Sequence, residues 1–110
     1  MAYDEELAEL VRDELQADPA FSERKMFGGL CFMLHGNMCV GVVGDRLMLR
    51  LGDEDAASVL GEPHVSPMDF TGRPMKSMVY VERAGLDSGG LERWVERAAG
   101  YARSLPPKGG

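Results

Sequence analysis

Apolar residues near the start of the chain recur at helical spacing, with Leu7, Leu10, Val11 and Leu15 returning every three or four positions. Asp4 stands where a capping side chain belongs and Asp18-Pro19 where a helix stops, so the spacing predicts an amphipathic helix over about residues 4–17. Past Phe21 the rhythm changes to short apolar runs broken by glycine, at 29–35, 38–43 and 46–51. The breaks, Gly36-Asn37 and Gly44-Asp45, are pairs that accept the positive φ of two-residue hairpin turns, which predicts a three-stranded antiparallel meander. Asp53 then heads a short helix to Leu60, closed by Gly61. Residues 65–70 and 76–82 read as a second strand pair around Thr71-Gly72-Arg73. Leu91, Trp94, Val95, Ala98, Ala102 and Leu105 form the clearest apolar stripe, ended by Pro106-Pro107. The order is αβββαββα, an α+β fold of two layers with a mainly antiparallel sheet.

Hairpin register assigns the faces. If Gly36-Asn37 is a two-residue loop, His35 pairs with Met38, Met33 with Val40 and Cys31 with Val42; a Gly44-Asp45 loop pairs Val42 with Leu47 and Val40 with Leu49. One face then carries Cys31, Met33, His35, Met38, Val40, Val42, Leu47, Leu49 and Leu51, with no charged group, and the helices are expected there. The other carries Leu30, Phe32, Leu34, Cys39, Val43 and Met48 with Arg46 and Arg50. A second apolar face needs cover, because monomers seldom leave several hundred Å² of such surface in water. A homodimer or a protein partner meeting Phe32, Leu34, Met48 and Arg50 is one solution; cover by the chain's own 21–27 segment or tail is the other. Cys31 and Cys39 point to opposite faces, which excludes a disulfide between them.

At 110 residues and 12.0 kDa the chain is one domain, with a core over about 3–105 and a flexible 106–110 tail. Hydrophobic residues at 45% and charged residues at 27% exclude disordered and collagen-like classes. No apolar run is long enough for a bilayer and the acidic MAYDEELAEL start is unlike a signal peptide, so the expected location is cytoplasmic, with no membrane association. The net charge of −6 sits wholly in residues 1–20, where Asp4, Glu5, Glu6, Glu9, Asp13, Glu14 and Asp18 face Arg12 alone. That balance argues against direct nucleic-acid binding, which draws on a basic excess. It suits a solvated helix face or a docking surface for a basic partner.

Candidate chemistry is sparse. The two cysteines lack the spacing of a metal site, His35 sits beside a predicted turn and His64 follows Pro63 in a loop, so no catalytic residue, metal or cofactor is predicted. Asp69, beside Phe70 and the Gly72 turn, reads as a turn-stabilising carboxylate rather than an acid catalyst. Arg24-Lys25 precedes the Gly28-Gly29 pair, whose first use is a tight strand entry, and Arg73 and Lys76 flank a second glycine turn. Were the two segments to converge, Arg24, Lys25, Arg73 and Lys76 would form an anion-binding spot for a small enzyme or ligand-binding protein. The eight methionines suit core filling and also adaptable binding surfaces.

Arg24-Lys25-Met26-Phe27-Gly28-Gly29, then Gly36-Asn37-Met38 and Gly44-Asp45 with Leu47 and Leu49, then Pro67-Met68-Asp69-Phe70-Thr71-Gly72-Arg73-Pro74-Met75, carry a resemblance. Over about residues 3–107 the chain resembles the TfoX (Sxy) N-terminal domain family. The resemblance implies a two-layer αβββαββα domain related to secretion-chaperone-like folds. It implies a non-enzymatic regulatory role, since TfoX proteins regulate natural competence by acting with the cyclic-AMP receptor protein on transcription. Those proteins carry a further C-terminal domain, and this chain is expected to be a stand-alone member without it. The family supplies no catalytic residues to transfer.

Overall fold

The computed structural model describes residues 3–26, 28–70, 72–87 and 89–106. Helix α1 (Glu5–Leu15) starts where Asp4 accepts hydrogen bonds from the amides of Glu6 and Leu7, filling two of the donors a helix start leaves open. Strands β1 (Phe21–Met26), β2 (Gly29–Leu34), β3 (Asn37–Val43) and β4 (Arg46–Arg50) follow in antiparallel succession. Helix α2 (Asp53–Val59) leads to the hairpin of β5 (Val65–Phe70) and β6 (Arg73–Val81), and a short 3₁₀ turn, Arg83–Leu86, precedes α3 (Gly90–Ser104). The six strands lie in the order β1-β2-β3-β4-β6-β5. Each neighbouring pair is antiparallel, so β4 and β5 run parallel with β6 between them, and α2 makes the crossover that such a pair requires.

Two features depart from the sequence reading. Residues 21–26 are not a cover segment: they pair with β2 as an edge strand, which makes the opening meander four strands rather than three. The second departure concerns register. The loop between β2 and β3 is His35-Gly36, with Leu34 opposite Asn37 and Met33 opposite Met38; beyond a shift, Phe32 pairs with Val40. Cys39 is the additional residue on β3, a β-bulge. Both loop residues have positive φ, 53° at His35 and 78° at Gly36, the conformation of a type I′ turn. The one-residue slip reverses the expected faces of β2, whereas those of β4 and the end of β3 stand as read.

The three helices cover one face. Their core holds Leu7, Val11 and Leu15 of α1, Ala56 and Val59 of α2 and Trp94, Val95, Ala98 and Ala102 of α3. From the sheet it takes Leu30, Phe32, Leu34, Val40, Val42, Leu47, Leu49, Val79 and Val81. Phe32 stacks on Phe21 at 5.9 Å between ring centroids. Burying one such aromatic contributes about 2 kcal/mol or more.

The opposite face has its own cluster: Cys31, Met33, Met48, Met68, Met78 and Tyr80, with Met26, Met38, Val43 and Met75 packed around it. It takes in every methionine but Met1, which is outside the described residues. Cys31 and Met48 are wholly buried with no helix above them. Long, adaptable thioether chains close over them, and the Arg46 guanidinium lies 3.9 Å from the Tyr80 ring centroid. Gly29 is required where this sheet is tightest, since a Cβ there would lie 2.1 Å from the Val42 carbonyl oxygen. The sheet's outer strands are β1, whose Ser22, Glu23, Arg24 and Lys25 are exposed, and β5, which carries Pro67 and an irregular register beside it.

Candidate functional site

Alternation along the strands sorts the charges by face. On β1, Ser22, Arg24 and Met26 share the methionine side, while Glu23 turns to the helices and takes a two-pronged ion pair from Arg12, with Nη2 2.8 Å from Oε1. On β4, Arg46, Met48 and Arg50 share the methionine side, as do Lys76, Met78 and Tyr80 on β6. Among the described residues, Arg24, Arg46, Arg50 and Lys76 form no ion pair. All the ion pairs described lie elsewhere: Arg12 with Glu9 and Glu23, Arg83 with Asp4 and Glu6, Arg103 with Asp18. The carboxylates of Glu23 and Asp18 are consequently held below their ordinary range, Glu23 by the Arg12 hydrogen bond and Asp18 chiefly by the Ala20 amide and then by Arg103.

A groove of about 630 Å³ opens at the His35-Gly36 end of this face. Met26, Met33 and Met38 give it apolar walls, and Ser22, Glu23, Arg24, His35 and Arg50 give it polar ones. A second, more apolar cavity of about 270 Å³ lies between α2 and the β5–β6 hairpin. Both suit binding. Neither thiol has a hydrogen-bonded base among the described residues, and burial pushes Cys31 up to about 11 and Cys39 to about 12, far from a reactive thiolate. Among the described residues no group of three His, Cys, Asp or Glu could hold a metal ion. His35 and His64 occupy positive-φ positions, and His35 lies within the hairpin turn rather than beside it.

The residues singled out in the sequence are distributed as follows. Phe32 and Leu34 lie fully buried under the helices, a correction of their expected face that follows from the register slip. Met48 is buried in the methionine cluster and half-buried Arg50 lines the groove. Cys31 and Cys39 do occupy opposite faces, with the two faces exchanged. Arg24 lines the groove, its neighbour Lys25 points to the other side of β1, and Lys76 lines the second cavity. Strands β2, β3 and β4 separate β1 from β6, so the backbone does not set Arg24 and Lys25 beside Lys76. The side chain of Arg73 and the whole of Phe27, Thr71 and residues 107–110 lie outside the described residues. Asp69 is exposed opposite Pro74. Sequence reasoning missed Met26, Met33 and Met38 as groove walls: Met26 because 21–27 does not read as a strand, and Met33 and Met38 because spacing puts the turn one residue late.

The structure defines a two-layer α+β domain whose thioether-rich sheet face carries Arg24, Arg46 and Arg50 and whose helices cover the other face. Among the described residues no helix is long and apolar enough to cross a membrane. The family model for the TfoX N-terminal domain matches residues 13–102. The chain belongs to that family. No curated protein and no solved structure matches it.

Proposed function

We propose that this chain is a non-enzymatic, regulatory protein-interaction domain that meets its partner through the methionine side of the sheet. The observation that carries the reading is the segregation of charge: in a chain of net charge −6, Arg24, Arg46 and Arg50 share one thioether-rich face and form no ion pair among the described residues, while Glu23, the acidic residue at its groove, is held by Arg12. Such a face suits a partner segment that pairs acidic with apolar side chains, because thioethers adapt to apolar anchors and guanidinium groups select carboxylates. Membership of the TfoX N-terminal domain family supports a regulatory setting. Arg50 remains in the proposed contact region; Met26, Met33, Met38 and Arg24 join it, and Phe32, Leu34 and the wholly buried Met48 give way to core roles.

The test compares proteins recovered with the tagged domain from its own cells, with nuclease present, for the natural chain and for Arg24→Glu/Arg50→Glu. Both arginines lie at the groove and outside the helical core, so the variant is expected to fold. A protein recovered in near-equal amount and lost with the variant supports the reading. Recovery of the same protein by both forms overturns the assignment of this face. A second copy of the chain as the partner shows as a dimer in native mass spectrometry that the double variant abolishes.

A further inference from the structure

The cavity between α2 and the β5–β6 hairpin is distinct in chemistry from the groove. Met68, Met75 and Met78 line it from the hairpin side, and Ala56, Ala57 and Leu60 from the helix side. The alanines leave room that a larger side chain would fill, and at about 270 Å³ the space lies near the lower end of small-molecule sites, roughly 300 Å³ upward. Leu60, 42% exposed and so one of two large apolar side chains open to water among the described residues, stands at this cavity. An apolar occupant would bury it, which favours binding. These walls are unsuited to a phosphorylated metabolite.

Among the described residues only Asp53 and Lys76 break the apolar lining. They come from opposite walls, Asp53 from the first residue of α2 and Lys76 from β6, and they do not pair with each other among the ion pairs described. A ligand of one charge would satisfy one of them and repel the other. A zwitterion with an apolar side chain satisfies both, placing its carboxylate at Lys76 and its ammonium at Asp53. We propose that this cavity binds a free apolar α-amino acid, its side chain among Met68, Met75 and Met78 and its charged ends at Lys76 and Asp53.

The experiment uses the full chain labelled with ¹³C at the methionine methyl groups, titrated separately with L-leucine, L-methionine and L-phenylalanine. The Met68, Met75 and Met78 resonances are expected to move saturably while that of Met26, a wall of the other groove, stays in place. Compounds lacking one charge, 4-methylpentanoate and isopentylamine, should bind at least about tenfold more weakly than leucine, as should leucine to Lys76→Gln or Asp53→Asn. Ala57→Phe, at an exposed position on α2, should fill the cavity and abolish the shifts with the remaining spectrum preserved. No shift with any of the three amino acids up to roughly 10 mM overturns the proposal. Equal binding of the two singly charged compounds, or shifts that survive Ala57→Phe, overturns it as well.

Discussion

His35 shows how much one backbone angle decides. Its φ of 53° lies in the left-handed region, which histidine enters more readily than most side chains and β-branched residues enter at a real cost. By spacing alone, Gly36-Asn37 is the better turn, because glycine and asparagine are the usual occupants. The structure uses Asn37 differently. Its side chain is buried and its amide donates to the Pro106 carbonyl at 3.0 Å, tying the segment after α3 to the hairpin. Asn37 belongs to β3, the loop lies one residue earlier, and the Cys39 bulge restores the later register. Local propensity could not reveal a bond between residues this far apart in sequence. His35→Val is expected to lower stability by about 1–2 kcal/mol while His35→Asn leaves it nearly unchanged, read from urea midpoints at constant m.

At the scale of elements, α1 is held through its charged groups as well as its apolar stripe. Asp4 caps the helix and meets Arg83, and Arg12 reaches across to Glu23 on β1. Glu23 and Asp18 have carboxyl groups depressed in the folded state, so each proton they bind must come at the expense of these contacts. The stabilisation is present above the ordinary carboxylate range of about pH 4 and is lost as pH falls through the folded values. Urea midpoints are therefore expected to drop on acidification below about pH 4, with a shallower drop in Glu23→Gln. A midpoint in Glu23→Gln that falls as steeply as in the natural chain would contradict the assignment. The helices themselves were legible in sequence because their 3.6-residue stripes are uninterrupted. Strand β1 was not: Phe21–Met26 is an edge strand whose middle residues all meet water, which leaves no alternation of apolar and polar positions to detect.

For the whole molecule, the α+β class, the sheet's antiparallel character and the helical cover were readable from pattern alone. The site was readable only in part. Met48 and Arg50 lie on a strand whose register was set by the Gly44-Asp45 turn, and they fall where the pattern put them. Phe32 and Leu34 depended on the displaced turn and so landed in the core. Charge segregation appears only after folding, since in sequence Arg24 adjoins Glu23 and only alternation separates them. A partner drawn to the cationic face should be lost progressively as salt rises from low to roughly 0.5 M, because exposed charge attraction is screened within a few ångströms there. Salt-independent recovery would mean that apolar contact alone holds the complex.

The outermost strands carry a consequence for life at high protein concentration. An open sheet ends in unpaired amides and carbonyls that invite another copy to add on, the first step toward fibres. Here one rim presents Ser22, Glu23, Arg24 and Lys25 to water, and the other contains Pro67, which has no amide hydrogen to offer, next to an irregular stretch. Each rim is thereby a poor template for its neighbour. The molecule can carry an apolar, thioether-rich face without its sheet becoming a seed for uncontrolled assembly.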